Sequence, residues 1–283
     1  MELDKIGLGE PGYPVLLKEI TDPPKVLYFA GKLPEANQTL ISIVGTRKAT
    51  SRGKFAARKI AGDLAKRGIT IVSGLAIGID TAAHEGCLWG GGKTIAVLGN
   101  GLDKIYPAQN ENLAKKIIET GGAVVSEYPE GTPPYPSQFL ARNRIVSGLA
   151  AATVIIEAPL KSGALVTARL AAEQGRETMV VPGEPFDFNY RGSHKLLRDG
   201  ARLVSSAEDI LEDLQFDGEN SDNYRLTEEE RRIMETIRAN QPAKTERIIE
   251  INKMDAADAN KNLTLLMVKG LIKETANGFT LMK

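Results

Sequence analysis

The stretch LISIVGTRKATSRGKFAARKIAGDLAKRGITIVSGLAIGIDTAAH, residues 40–84, decides the fold. Residues 40–44 form a short apolar, β-branched run, the composition of a strand buried on both faces. The run ends on Gly45, and Thr50 and Ser51 supply hydroxyls able to cap a helix. Across 52–67, Phe55, Ala56, Ile60, Leu64 and Ala65 recur at helical spacing with Lys and Arg opposite, and Gly68 follows as a C-terminal glycine. A second apolar strand at 69–72 runs into Ser73-Gly74, and a second helix opens at Gly78-Ile79-Asp80. Strand, helix, strand, helix is the alternation that builds an α/β protein with a parallel sheet.

Ligands of open parallel sheets bind outside the carboxyl ends of the strands, where glycine admits a ligand to the backbone and helix N-termini offer free N–H groups. Arg47, Lys48, Arg52 and Lys54 put positive charge at the first such turn, which points to a phosphate-bearing ligand. Gly45-Thr46-Arg47 lacks the second glycine of the dinucleotide fingerprint. Ordinary turn glycines beside a solvated helix face fit the same spacing.

The alternation continues, with strands predicted at 94–98, 123–126, 153–156, 178–181 and 201–204 and helices near 110–119, 139–148 and 207–214. A stiff loop at 129–136 precedes a helix carrying Arg142, Asn143 and Arg144 in a row. Adjacent helical residues point in different directions, so one or two of the three face the strand-end site, unless both arginines are solvated. Lys161, Ser162, Gly163 and Thr167 offer hydroxyls and N–H groups at a further strand-to-helix turn, suited to a phosphate. The loop 182–190 carries Phe186, Phe188 and Tyr190 ahead of Arg191-Gly192-Ser193-His194-Lys195, which opens another helix. Rings interleaved with cations are what single-stranded nucleic acid requires, and rings that merely pack a loop give the same pattern. His84 and His194 read as structural or phosphate-adjacent, because no carboxylate partner can be assigned to either.

Residues 1–40 read as a lead-in segment: a short helix near Leu16-Leu17, a proline turn at Pro23-Pro24, and a strand at Val26-Leu27-Tyr28-Phe29. Residues 217–223 are polar, acidic and glycine-containing, a linker composition. Beyond them Thr227 and Glu230 form a capping box, two more helices are predicted at 245–251 and 255–268, and a hairpin follows from Gly270 to Leu281. Three helices and a hairpin make a winged helix, a module often used on DNA. Its third helix carries Asp255, Asp258 and Asn260 with only Lys253 and Lys261 nearby, a poor face for phosphates, so the reading is partner contact or at most weak DNA contact.

At 283 residues the chain is long enough for two domains. Lys+Arg and Asp+Glu are both 36, so nucleic-acid binding requires a local patch rather than global basicity. One cysteine, Cys87, excludes an intramolecular disulfide, and with two histidines it leaves no zinc set. The expected setting is a reducing cytoplasm with no metal and no cofactor. No apolar run reaches membrane-spanning length, and the N-terminus, with Glu2 and Asp4, lacks a signal-peptide pattern.

Taken together, the motifs resemble the DNA-processing protein A family (DprA/Smf). The resemblance rests on Tyr13-Pro14, Asp22-Pro23-Pro24, Val44-Gly45-Thr46-Arg47, Ser73-Gly74-Leu75-Ala76-Ile77-Gly78-Ile79-Asp80, Asn100-Gly101 with Tyr106-Pro107, and Ser126-Glu127-Tyr128-Pro129. It continues through Phe139, Arg142-Asn143-Arg144, Ser162-Gly163-Ala164, Val181-Pro182-Gly183 and Gly192-Ser193, in the family's order across most of 13–214. It implies an extended Rossmann-like domain at 41–214 that binds single-stranded DNA and forms a homodimer, a linker at 215–224, and a winged helix at 225–283. It further implies a protein that binds rather than catalyses, protecting incoming DNA and loading the RecA recombinase in natural transformation. Arg47 matches the family's DNA-contacting arginine and Arg142, Asn143 and Arg144 its second basic segment. The expected DNA-binding set is Gly45, Thr46, Arg47, Lys48, Ser73, Gly74, Arg142, Asn143, Arg144, Lys161, Ser162, Gly163, Thr167, Gly192, Ser193 and Lys195. Many members begin with a helical SAM-like domain, and here about twelve residues precede Tyr13-Pro14. The alternative is a nucleoside-monophosphate phosphoribohydrolase of the lysine-decarboxylase-like fold group, whose Pro-Gly-Gly-x-Gly-Thr segment has no counterpart at 162–167. A duplex-DNA regulator working through the winged helix is a third reading, opposed by the acidic third helix.

Overall fold

Strands and helices alternate in a computed structural model that describes residues 3–216, 227–268, 271–275 and 278–282. The first part of the chain gives β1 (Asp4–Gly7), α1 (Val15–Lys18), β2 (Val26–Gly31), β3 (Leu40–Val44), α2 (Ser51–Lys66), β4 (Thr70–Ser73), α3 (Ile79–Trp89) and β5 (Thr94–Val97). Next come α4 (Glu111–Glu119), β6 (Ala123–Ser126), α5 (Pro136–Gly148), β7 (Ala152–Ile155), α6 (Gly163–Glu173), β8 (Glu177–Val180), α7 (Arg191–Arg198), β9 (Arg202–Leu203) and α8 (Ala207–Asp213). These elements lie in a unit spanning Met1–Asn220, and Ser221–Lys283 form a second. The predicted linker at 217–223 lies outside the described residues.

The first unit is built on one nine-stranded sheet, ordered β1-β2-β6-β5-β4-β3-β7-β8-β9. From β6 to β9 every pairing is parallel, while β1 and β2 join antiparallel at one edge. Connections from β3 run through β4, β5 and β6 in one direction and from β7 through β8 and β9 in the other. The sheet therefore has a topological switch point between β3 and β7, where an open α/β sheet leaves a crevice.

Strand alternation splits the core in two. Ile41 and Ile43 face α2, α3 and α8, whereas Leu40 and Val44 face the side covered by α1, α5 and α6. Fully buried side chains such as Ile41, Ile43 and Ile71 each contribute roughly 1.5–3 kcal/mol of burial. Ser42 and Thr153, polar and buried in mid-sheet, satisfy each other across β3 and β7 at 2.7 Å.

One helix face differs from the expectation. Phe55 is 67% exposed, and the buried stripe of α2 is Gly53, Ala57, Ile60, Ala61 and Leu64. At 100° per residue, position 55 lies about 200° from position 57, so the two cannot share a face.

The second unit contains α9 (Glu228–Ala239), α10 (Thr245–Asn252), α11 (Ala256–Val268), β10 (Ile272–Thr275) and β11 (Gly278–Leu281). Thr227 and Glu230 close the capping box as read, with bonds of 2.8 and 3.2 Å. The helices and the antiparallel β10–β11 pair enclose Ile233, Ile237, Ile248, Leu263, Leu266 and Phe279, giving a winged-helix arrangement. Gly270, expected to start the hairpin, lies outside the described residues.

Candidate nucleic-acid interface

A cleft of about 440 Å³ opens at the switch point, over the carboxyl ends of β3, β4 and β7. Its wall begins with the loop after β3. Gly45 packs so tightly that a Cβ there would stand 2.6 Å from Ile79 and 2.9 Å from the Glu157 carbonyl oxygen. Gly78 caps α3 at φ +95° with the Thr46 carbonyl 2.4 Å from where a Cβ would be. These two glycines let the N-terminus of α3 close on residues 45–47. The Ile79 N–H donates to the Thr46 carbonyl at 3.3 Å, and the Thr46 N–H donates to the Glu157 carbonyl at 2.7 Å.

The loop is held a second time by the Glu157 side chain, fully buried just past β7. Its carboxylate accepts from the Thr50 N–H at 2.9 Å, from the Thr50 hydroxyl, from the Tyr190 hydroxyl at 3.1 Å and from Asn189 Nδ2 at 3.5 Å. Every surrounding group is a donor, which suits an acceptor-only carboxylate. Thr46 and Thr50 are thus fixed on either side of Arg47, Lys48 and Ala49.

Arg47 is exposed and lines the cleft, its guanidinium carbon 5.6 Å from the centre of the Phe139 ring. Tyr106 extends the aromatic surface, 5.2 Å from Phe139 centre to centre. Opposite stand Lys161, Ser162, Gly163 and Thr167, at the N-terminal end of the eleven-residue helix α6. Ser162 caps that helix, accepting from the Ala164 N–H at 3.2 Å. Unpaired N–H groups and the helix dipole favour an anion at such an end. Among the described residues, neither Arg47 nor Lys161 has a carboxylate partner.

Arg142 and Asn143 also face the cleft, and Arg142 is 4% exposed. The Arg142 guanidinium lies across the ends of β4 and β5, donating to the Gly74 carbonyl at 2.6 Å and to the Val97 carbonyl. The guanidinium packs directly on Gly74, where a Cβ would meet it at 2.6 Å. Burial lowers the Arg142 pKa to about 10, with Asp80 opposing and Arg47 adding to the fall, so it stays cationic at neutral pH. Its Nε is buried and, among the described residues, has no hydrogen-bond partner. Burial raises the pKa of Asp80, and the charge of Arg142 and the Ala76 N–H pull it back. His84, beneath this floor, is held down to about 3 by burial and then by Arg142. It is therefore a neutral structural imidazole, bonded through Nδ1 to Thr94 at 2.7 Å.

The structure thus brings together Gly45, Thr46, Arg47, Gly74, Arg142, Asn143, Lys161, Ser162, Gly163 and Thr167. It does not bring in the other six expected residues. Arg144 points away from the cleft, paired with both Glu127 oxygens at 2.8 and 2.7 Å and with Asp22 at 3.1 Å. Ser73 is buried, donating to the Ile43 carbonyl at 2.6 Å. Ser193 accepts from the Ala158 N–H at 3.0 Å, and the Gly192 N–H donates to the Ala158 carbonyl at 2.8 Å, so both brace the loop after β7. Lys48 and Lys195 are exposed outside the cleft. Asp80, Tyr106, Phe139 and Glu157 were not picked out as site residues from sequence. A carboxylate directly after a buried apolar strand is the signal Glu157 offered.

Among the described residues, no three His, Cys, Asp or Glu side chains gather as a metal-binding group, and no helix is long and apolar enough to cross a membrane. Fold and cleft define a doubly wound, Rossmann-like protein with a cationic, aromatic-lined crevice at its switch point. The chain belongs to the DNA recombination-mediator protein A family, whose model matches residues 5–215. It is 46% identical over 204 residues to protein Smf of Escherichia coli, an alignment covering 72% of this chain and 54% of that protein. The chain thus spans about half the length of that relative. The X-ray structure of DNA processing protein A from Streptococcus pneumoniae superposes with a TM-score of 0.70 at 39% identity, covering 75% of this chain and 74% of that one. A solved structure of DNA processing protein A from Helicobacter pylori, described for its unique single-stranded DNA binding mode, gives 0.68 at 32% identity, covering 76% and 96%.

Proposed function

We propose that the chain binds single-stranded DNA, seating a backbone phosphate in the cleft between Arg47, Lys161 and the N-terminus of α6. The observation that carries this reading is the meeting of two cations that have no carboxylate partner among the described residues, a helix N-terminus and two aromatic rings at one switch-point cleft. Phosphates take the cations while bases take the rings, a combination that tolerates any sequence. Arg142 contributes as a buried charge that fixes the cleft floor and raises its potential. Family membership supports the wider role: a cytoplasmic homodimer, joined through the Rossmann-like domain at 41–214, that protects incoming DNA and loads RecA recombinase in transformation. The cleft's part in this is binding rather than catalysis. The winged helix at 225–283 serves partner contact, since exposed Asp255 and Asp258 offset exposed Lys253 and Lys261 at its third helix and leave no net positive face for a phosphate backbone.

The test is fluorescence anisotropy of labelled oligo-dT against duplex of equal length, over a range of salt, for wild type and Arg47→Glu. The expected outcome is single-strand preference with a log–log salt slope of about −0.7 per phosphate contacted, weakened and flattened in the variant. Equal affinity of wild type and variant removes Arg47 from the site. Wild type that binds no oligonucleotide, but releases ribose phosphate from nucleoside monophosphates, overturns the reading in favour of the hydrolase.

A further inference from the structure

The loop after β8 combines firm anchoring with two phenylalanines left in water. Tyr190 covers Gly183, where a Cβ would stand 2.1 Å from its ring, and donates to Glu157 at 3.1 Å. Asn189 Nδ2 donates to the Lys48 carbonyl at 3.2 Å, one residue from Arg47, and Asp187 accepts from the Asn189 N–H at 2.8 Å. The loop is therefore fastened to the Arg47 segment through both Lys48 and Glu157. Yet Phe186 is 95% exposed and Phe188 63% exposed.

We propose that Phe186 and Phe188 are a second base-stacking platform, outside the cleft, for the single strand that leaves Arg47. This rests on the single-stranded DNA reading and extends it along the surface. Three observations favour a nucleic-acid strand as the occupant. The loop's tie to Lys48 starts the path at the cleft rim. Lys48, whose carbonyl the loop holds, and Arg191 and Lys195 of the α7 that follows it are exposed, among the described residues, without carboxylate partners. Of the loop's carboxylates, Glu184 is paired with Arg52 at 2.7 Å, and Asp187 is half-buried and turned to the Asn189 N–H at 2.8 Å. An anionic chain with flat faces meets two exposed rings and three cations there, against the single half-buried carboxylate of Asp187.

The experiment measures affinity for a dT series from about 4 to about 16 nucleotides, for wild type, Phe186→Ala/Phe188→Ala and Phe186→Tyr/Phe188→Tyr. The alanine pair is expected to weaken the longest oligonucleotide about five-fold per ring, ~1 kcal/mol each, and to leave the shortest unchanged, with tyrosines restoring wild-type affinity. Equal weakening at every length places the rings in the cleft and overturns the platform, as does no weakening at any length. A change of DNA-free sedimentation with unaltered affinities assigns the rings to a second copy of the chain and overturns it too. Wild type that binds no member of the series removes the underlying reading, a result distinct from failure of the platform alone.

Discussion

Replacing Glu157 tests whether the cleft is held from behind. Glu157→Ala strips the acceptor from the Thr50 N–H and the Tyr190 hydroxyl, both held by this carboxylate. A buried donor left unsatisfied costs about 1–3 kcal/mol, and less at half-buried Thr50 than at buried Tyr190, so the pair and the emptied volume beside Gly53 sum to about 3–5 kcal/mol. Glu157→Gln costs less, about 1–2 kcal/mol, because its amide can turn toward the Thr50 and Tyr190 hydroxyls, which are able to accept. What glutamine cannot restore is the negative charge against the N-terminus of α2. At about 2–4 °C per kcal/mol for a unit of this size, alanine should lower Tm by about 6–20 °C and glutamine by about 2–8 °C. Below the melting range, alanine should also weaken oligo-dT about ten-fold, since Arg47 then pays the ordering entropy of its own loop on binding. Differential scanning calorimetry and anisotropy on the same preparations give both numbers. An alanine variant melting within about 1 °C of wild type, or a glutamine variant less stable than alanine, would refute the donor-cage argument.

Further expectations concern other parts of the frame. His84 is neutral in the fold with its pKa near 3, against about 6.5 unfolded, so its contribution is complete above pH ~6.5 and drains away as pH falls toward 3. Urea midpoints at pH 4 and pH 7 should therefore differ less for His84→Gln than for wild type, and an equal difference would contradict this. Gly78→Ala forces a side chain onto φ +95° against the Thr46 carbonyl and should lower stability by about 1–3 kcal/mol, read by denaturant unfolding. Arg144→Ala leaves Glu127 unpaired in a half-buried site and should cost about 2–3 kcal/mol of stability. Folded Arg144→Ala should bind oligo-dT as wild type does, and a large loss of affinity would return Arg144 to the interface.

The period of apolar residues made most strands and helices legible to within a residue or two, because buried parallel strands are continuous apolar runs bounded by glycine. β1 was missed: Asp4-Lys5-Ile6-Gly7 holds one apolar residue, and an edge strand needs little more. Sheet order was not legible either, since the pairing of β3 with β7 is made by tertiary packing. In the cleft, cation, glycine and hydroxyl at strand-to-helix turns identified Arg47, Lys161, Ser162, Gly163 and Thr167. Helix phase then separated Arg142 from Arg144, a step of about 200° that only the position of Glu127 decides. Glu157 escaped because a carboxylate clamp depends on donors from distant segments, Thr50 and Tyr190.

The Ser42–Thr153 contact joins residues 111 apart in the chain, and both walls of the cleft straddle that gap. A ribosome adding about 5–20 residues per second needs about 5–20 s to cross it. For that interval the nascent chain carries Arg47 without β7, without the clamp and without α6. The cleft is thus withheld until synthesis has passed the second half of the sheet, and a chain released early has the arginine but neither the opposite wall nor the clamp behind it.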